Sequence, residues 1–105
     1  MISVYLTCRD NKEAKLIASS LLEKRLIACA NIFPTTSVYR WQGKVVEEVE
    51  TAMLCKARKE CFKKIKEEVR QLHSYEIPCI VALPWLDSDE EYRKWVEEET
   101  NPSPS

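Results

Sequence analysis

The first quarter of the chain switches between two hydrophobic periods. From residue 2 to residue 8 every second position is apolar, which predicts a strand with one apolar face. Asp10 and Asn11 follow as candidate helix caps. Beyond them the apolar positions recur at helical spacing, and they are Ala14, Ile17, Ala18, Leu21 and Leu22. This part of the chain therefore predicts a strand followed by an amphipathic helix.

The middle of the chain predicts a hairpin. Residues 27–33 are apolar on both faces, which favours a strand that is buried on both sides. Pro34 and the polar residues after it are expected to break or bulge this strand. Residues 38–41 and 45–56 then form two strands around a turn. Gly43, the only glycine in 105 residues, supplies the positive φ that such a short link needs.

The second half of the chain repeats the order of helix and strand. A helix is predicted over residues 59–73, with an apolar face formed by Phe62, Ile65, Val69 and Leu72. Residues 77–83 are apolar on both faces and predict a central or doubly covered strand. A third helix is expected to begin at Ser88, because Ser88 and Glu91 have the spacing of a capping box. Residues 101–105 are polar and proline-broken, so we expect one domain over residues 1–100 and a disordered tail over 101–105.

This element order, β-α-β-β-α-β with a terminal helix, predicts a ferredoxin-like α/β sandwich of the α+β class. Both crossover helices then cover one side of a four-stranded antiparallel sheet and leave the other side bare. Two of the strands are apolar on both faces, and Tyr39 and Trp41 lie near an exposed hairpin end. Because uncovered apolar surface usually marks an interface, we expect a homo-oligomer in which the bare sheet faces meet.

Composition and charge exclude several classes of protein. The 16 basic and 17 acidic residues leave a formal net charge of -1, which argues against a nucleic-acid binder held by bulk positive charge. The apolar runs are much shorter than the ~20 residues of a membrane helix, so no membrane span is predicted. The first residues show a strand pattern rather than the basic and apolar regions of a secretory signal.

The five cysteines are widely spaced and odd in number, and none forms a C-x-x-C pair. This pattern argues against a disulfide framework and against a zinc motif. We therefore expect free thiols in a cytoplasmic protein, buried mostly as small hydrophobes. Cys61, early in a helix, is the one expected to be partly exposed.

Two residues are candidates for metal binding. His73 is the only histidine and ends a predicted helix, where it can act as a metal ligand, as an acid-base group or simply as a solvated or structural residue. Cys29 is the second candidate and can also pair with His73 as a catalytic dyad. No orienting motif surrounds Cys29, and a thiol inside an apolar strand is expected to be inert, so the structural role is favoured for this residue.

An acidic cluster lies on the returning strand of the hairpin. Glu48 and Glu50 project to the same face, and paired carboxylates can bind hard cations or carry protons. A solvated or edge-protecting charge run is the favoured alternative. Glu50 adjoins the apolar part of the strand, where its charge would need a partner such as Lys56.

Four segments occur in order along nearly the whole chain. They are RLIACAN at residues 25–31, SVYRWQGK at 37–44 with Glu48 and Glu50 behind it, MLCK at 53–56 and HSYEIP at 73–78. Together they resemble the divalent-cation tolerance proteins of the CutA family. The resemblance implies a ferredoxin-like fold, a tight homotrimer, a cytoplasmic location in prokaryotes and an association with copper and other divalent metals. It also implies a likeness to the trimeric PII-type signalling proteins, which bind small ligands between subunits.

The resemblance also assigns roles to particular residues. Gly43 would turn a long hairpin that reaches a neighbouring subunit, with Trp41 as an interface anchor and Lys44 close to the next chain. The copper ligands proposed for the family are a cysteine late in the first strand and a histidine pair before Pro-Tyr. Leu6 holds the cysteine position here, with Cys8 two residues later. Of the second motif only His73 remains, because Leu72 precedes it and Ser74 replaces the proline.

Three hypotheses follow. The first is a non-catalytic homotrimer that binds Cu(II) or another divalent cation, with His73 and then Cys29 as ligands. The second is a PII-like regulatory module with a small ligand or partner in an intersubunit cleft, lined by Trp41, Glu50, Lys56, His73, Tyr75 and Glu76. The third is an enzyme with Cys29 and His73 as its catalytic pair, and it ranks last.

Overall fold

Four strands form one antiparallel sheet in the order β2-β3-β1-β4. The computed structural model describes residues 1–101. Its elements are β1 (Ile2–Cys8), α1 (Asn11–Glu23), β2 (Cys29–Trp41), β3 (Lys44–Ala57), a 3-10 turn (Lys59–Cys61), α2 (Phe62–Leu72), β4 (Ile80–Pro84) and α3 (Glu90–Glu99). The predicted ferredoxin-like α+β sandwich is confirmed.

The core lies between the sheet and the first two helices. The apolar face of β1 is fully buried against the buried stripes of α1 and α2, which include Ile17, Leu21, Ile65 and Val69. Asp10 caps α1 as predicted, because its side chain accepts a hydrogen bond of 2.8 Å from the backbone N–H of Glu13. The opposite face of the sheet is the bare face, which α1 and α2 do not cover. α3 packs against one end of it, where Tyr92 neighbours Cys29 and the preceding Trp85 donates its Nε1–H to Ser3 at 2.7 Å.

The two strands that are apolar on both faces are the edge strands of the sheet, so the prediction of a central or doubly covered strand at residues 77–83 is wrong. Only residues 80–84 of that region pair, and they pair with β1 alone. Val81 and Leu83 point to the bare face and are about half exposed. The apolar run predicted burial on both sides, but Val81 and Leu83 lie on an outer surface that the single chain does not cover.

The predicted break at Pro34 is also wrong. β2 continues through Pro34, which pairs with Thr51 in an unbroken register from Cys29 to Trp41. An edge strand tolerates proline, because the missing N–H can face away from the only neighbouring strand.

The hairpin extends far beyond the rest of the sheet. β1 pairs with β3 only as far as Thr51, so residues 35–50 form a two-stranded extension that we call the ribbon. Gln42 and Gly43 form the two-residue turn at its end, with φ of 49° and 78°. Gly43 therefore has the predicted role, although Gln42 shares the left-handed conformation, as the favoured two-residue hairpin turns require.

The later helices differ from the predictions at their ends. The helix predicted over residues 59–73 begins as the 3-10 turn, and His73 is its C-cap. The third helix begins at Glu90 rather than at Ser88, because Asp89 caps it by accepting the Tyr92 N–H at 3.0 Å. Cys61 is fully buried rather than partly exposed, because the 3-10 turn directs it into the core.

The end of the described chain is held in place. The Asn101 N–H donates to the Arg25 carbonyl oxygen at 2.8 Å. The rest of the predicted tail, residues 102–105, lies outside the described residues. Across the described part of the chain, no helix is long and apolar enough to cross a membrane.

Candidate functional site

His73 lies at the centre of a buried hydrogen-bond network beside the end of β1. Its side chain is fully buried, and Nε2–H donates to the Thr7 carbonyl oxygen at 2.7 Å. Its Nδ1 accepts the Tyr75 backbone N–H at 3.1 Å. Because a carbonyl only accepts and an N–H only donates, the neutral ring carries its proton on Nε2. Nδ1 therefore holds the lone pair with which the ring can bind a ligand in place of the Tyr75 N–H.

Two further ligand-type side chains meet His73. Cys8 ends β1 and Glu13 lies in the first turn of α1, and the ligand atoms of all three side chains lie within 4.8 Å of one another. The Glu13 Oε1 atom lies 3.9 Å from His73 Nδ1. Within residues 1–101 this is the one group of three or more histidine, cysteine and acidic side chains that could hold a metal ion. We call it the Cys8 cluster.

The local structure holds Glu13 ionised and Cys8 protonated. Burial acts to raise the pKa of Glu13, but hydrogen bonds from Ser74 and from the Arg9 backbone N–H outweigh it, so the pKa lies below 4.5. Burial, with nearby Glu13, raises the pKa of the Cys8 thiol to about 12. The Cys8 thiol also lies 3.5 Å from the Met53 sulfur. A ligand that binds the cluster through sulfur must therefore displace a proton.

A second site lies on the bare face, at the base of the ribbon. It is a cavity of about 480 Å³ lined by Tyr5, Thr7, Ser37, Tyr39, Trp41, Glu48, Glu50, Tyr75, Glu76, Ile77 and Cys79. We call it the ribbon cavity.

Tyrosine hydroxyls orient two of the carboxylates in the ribbon cavity. The Tyr39 hydroxyl donates to Glu48 and the Tyr75 hydroxyl donates to Glu50, each at 2.6 Å. The hydrogen bond to Glu48 raises the pKa of Tyr39 to about 12. Burial and then the hydrogen bond to Glu50 raise the pKa of Tyr75. Both phenols therefore stay protonated at neutral pH and act as donors.

Tyr75 connects the two sites. Its backbone N–H donates to His73, its ring packs on the imidazole at 4.6 Å between centroids, and its hydroxyl donates to Glu50. A change at the His73 imidazole can therefore alter the lining of the ribbon cavity through Tyr75 alone.

Most of the predicted cleft residues come together. Trp41, Glu48, Glu50, Tyr75 and Glu76 all line the ribbon cavity. His73 lies behind Tyr75 rather than in the cavity lining. Glu48 and Glu50 share the bare face as predicted. At these positions β3 pairs with β2 alone, because β1 ends opposite Thr51, so the strand has an open edge there and the edge-protecting alternative stays a hypothesis.

Two predicted lysines lie elsewhere. Lys44 is at the tip of the ribbon, paired with Trp41. Lys56 donates to the Asn31 side chain and is not the partner of Glu50, whose hydrogen bond comes from Tyr75. The expectation that Lys56 compensates Glu50 is wrong because the two residues lie far apart along β3.

Cys29 lies apart from His73. It pairs with Lys56, which in turn pairs with Ser3 of β1, whereas His73 contacts Thr7. The separation is roughly 13 Å along the strands and two strands across the sheet. Cys29 instead neighbours Tyr92 of α3, and burial followed by this thiol raises the pKa of Tyr92. The structure therefore does not bring Cys29 and His73 together as a ligand or catalytic pair.

Sequence reasoning missed Cys8 and Glu13 as partners of His73. One signal for Glu13 was present, because residues 13, 17 and 21 share the buried stripe of α1 and only the first is charged. A charge at a core position usually has a specific partner.

Comparison with known proteins gives a consistent result. The family described as CutA1 divalent ion tolerance protein matches residues 2–99. The divalent-cation tolerance protein CutA of Thermus thermophilus is 47% identical over 98 residues, which cover 92% of this chain and 95% of the relative. The CutA of Archaeoglobus fulgidus is 43% identical, with 90% of this chain and 93% of the relative covered.

Solved structures give the same result for the fold. The crystal structure of CutA1 from Pyrococcus horikoshii is similar with a TM-score of 0.92 at 38% identity, covering 96% of this chain and 99% of that one. A PII-like protein CutA from Nostoc is similar with a TM-score of 0.90 at 28% identity, covering 98% and 100%.

Proposed function

Because this chain belongs to the CutA1 divalent ion tolerance family, we propose that it is a non-catalytic binding protein for divalent metal ions, with Cu(II) as its preferred ion. The observation that carries this proposal is the Cys8 cluster, in which three ligand-type side chains lie within 4.8 Å of one another. His73 keeps the role that the sequence suggested. Cys8 and Glu13 replace Cys29 as its partners in this proposal.

The donor set suits a transition metal. Imidazole nitrogen and thiolate sulfur select copper and zinc over magnesium and calcium, and a carboxylate adds a charged oxygen. In metal sites a ligating histidine commonly donates its other ring N–H to a backbone carbonyl. His73 already has this arrangement, because Nε2–H is bonded to Thr7 and Nδ1 faces the cluster. A bound ion would replace the Tyr75 N–H as the partner of Nδ1, and it would replace the proton on the Cys8 sulfur.

We extend the proposal to assembly and location. The exposed part of the bare face, with Val81 and Leu83, and the exposed valines of the ribbon support a homotrimer, since a single chain leaves this apolar surface in water. All five cysteines are free, which supports a reducing compartment, the cytoplasm.

The test is native mass spectrometry with Cu(II) in the absence of reducing agents. We expect a trimer that takes up three ions, with Cys8→Ser lowering the affinity by at least about tenfold. Cys29→Ser is the matched control, since it removes a thiol far from the cluster and should leave uptake unchanged. Uptake should also strengthen between about pH 6 and about pH 8, because binding expels the Cys8 proton.

Co(II) gives an independent, redox-inert measurement of the same site. A thiolate-to-metal charge-transfer band that is lost in Cys8→Ser, but kept in Cys29→Ser, would support the cluster. Equal uptake by wild type and Cys8→Ser, or a loss confined to Cys29→Ser, would contradict it.

The ribbon cavity supports a second candidate function, a PII-like module that binds a small ligand. Its volume of about 480 Å³ lies in the range of small-molecule sites, and four of the predicted cleft residues, Trp41, Glu50, Tyr75 and Glu76, line it. Such a module predicts that a small molecule, rather than a metal ion, stabilises the protein against heat.

A further inference from the structure

The ribbon cavity is acidic and lacks basic residues. Glu48, Glu50 and Glu76 are in its lining, and no lysine, arginine or histidine of the described chain joins them. The part of the cavity that this chain lines therefore disfavours anions such as phosphates and carboxylates and attracts cations.

Glu50 is the strongest evidence that the ribbon cavity binds a cation. It is only 7% exposed, and within residues 1–101 it forms no ion pair, its side-chain hydrogen bond being the one from Tyr75. A single neutral donor compensates a buried carboxylate only in part for its lost hydration. A cation that enters the cavity would compensate this charge.

Aromatic side chains make up much of the remaining lining. Tyr5, Tyr39, Trp41 and Tyr75 lie around the carboxylates, and two of their hydroxyls are already bonded to Glu48 and Glu50. Aromatic rings attract organic cations electrostatically, and sites that recognise quaternary ammonium groups combine several of them. Carboxylates held in place by phenols complete such a site, because they add charge without needing to reorganise.

We propose that the ribbon cavity binds an organic ammonium cation. This inference rests on the second candidate function and names its ligand class. A bare metal ion fits less well, because the cavity is far larger than an ion, and because the carboxylates and the Cys79 thiol do not form a compact donor group like the Cys8 cluster. A small amine or quaternary ammonium compound fills the volume and meets both the rings and the charge.

Isothermal titration calorimetry with choline as the probe tests the proposal. The matched ligand is 3,3-dimethyl-1-butanol, which has the shape of choline without its charge. We expect choline to bind and the neutral compound to bind at least about tenfold more weakly, because cation–π and charge terms are lost. Binding of choline should also weaken with added salt.

Variants locate the binding to the cavity. Glu50→Gln should weaken choline binding at least about tenfold, and Glu47→Gln should not, because Glu47 lies next to Glu48 in sequence but on the opposite face of the ribbon. Since Glu50 is buried and its variant can misfold, Glu48→Gln in the same lining provides a second test with the same expected direction, because Glu48 is exposed.

Two other sets of results would overturn the proposal, and each shows which part of it is wrong. Equal binding of choline and its neutral isostere, or unchanged binding in both Glu50→Gln and Glu48→Gln, would leave a ligand cavity that does not select ammonium groups. No heat from either compound, together with no thermal stabilisation by a panel of small metabolites, would remove the ligand-module function as well. Neither result bears on copper uptake by the Cys8 cluster.

Discussion

Glu13 shows how one side chain can join distant parts of the chain. Its carboxylate accepts the Arg9 N–H on one oxygen and the Ser74 N–H on the other, each at 3.0 Å. It thereby ties the segment after α2 to the start of α1. A proline at position 74 could not donate this hydrogen bond, because it has no backbone N–H.

The lowered pKa of Glu13 makes stability depend on pH. The folded-state pKa lies below the ordinary 4.5, so the stabilisation is fully present above pH 4.5 and is lost as the pH falls through the folded value. We expect Glu13→Gln to be less stable than wild type at neutral pH and to show a shallower loss of stability on acidification. Urea unfolding at several pH values measures this. The exposed control Glu47→Gln should follow wild type, and parallel curves for wild type and Glu13→Gln would contradict the argument.

At the scale of elements, the start of α3 shows that two neighbouring residues can both have the sequence signal of a helix N-cap. Ser88 and Glu91 have the spacing of a capping box, yet Asp89 one residue later is the N-cap. Both are good capping residues, and local sequence alone does not choose between them. In the structure the helix takes Asp89 as its cap, and Val96 is its fully buried residue.

The two candidate caps can be separated by substitution. We expect Asp89→Ala to lower the free energy of unfolding by about 1 kcal/mol, because the Tyr92 N–H loses its acceptor. Ser88→Ala should change it by less than about 0.5 kcal/mol. Chemical denaturation of both variants decides the matter, and a larger effect at Ser88 would return the cap to the predicted position.

The edge strands explain the main error at this scale. An apolar run without alternation predicts burial on both sides, but it does not say whether the chain itself or a second copy provides the cover. In β4 the inner residues, such as Ala82, pack on the core, while Val81 and Leu83 face outward. Only the strand order shows that the second cover is absent from the single chain.

At the scale of the whole molecule, the ribbon carries a group of exposed apolar residues. Val38, Val45 and Val49 lie on one of its faces and are 61%, 66% and 75% exposed. The ribbon extends past the rest of the sheet, and these three valines are open to solvent in the single chain. This geometry suits contact with another chain, as the proposed homotrimer requires.

Substitution of a ribbon valine tests this assembly. We expect Val45→Glu to convert the trimer to smaller species at micromolar concentration, because a buried unpaired charge opposes association. Leu16→Glu is the control, since Leu16 is 58% exposed on α1, away from the ribbon. Sedimentation velocity distinguishes the species. A trimer that tolerates Val45→Glu would place the interface elsewhere.

The sequence by itself determined the order of elements, the cap of α1, the turn at Gly43 and the sharing of one face by Glu48 and Glu50. Each of these depends on periodicity or on backbone conformation within a few residues, which a sequence displays directly. The clustering of Trp41, Tyr75 and Glu76 was reached through family resemblance.

Only the tertiary structure decided which distant residues meet. Cys8, Glu13 and His73 come from three elements, and the partner of Glu50 is Tyr75 rather than Lys56. Strand order and the path of residues 73–79 create these contacts, and both arise from packing the whole core. A local pattern can show that a residue is buried. It cannot show what it is buried against, because that depends on how all the elements fill one shared volume.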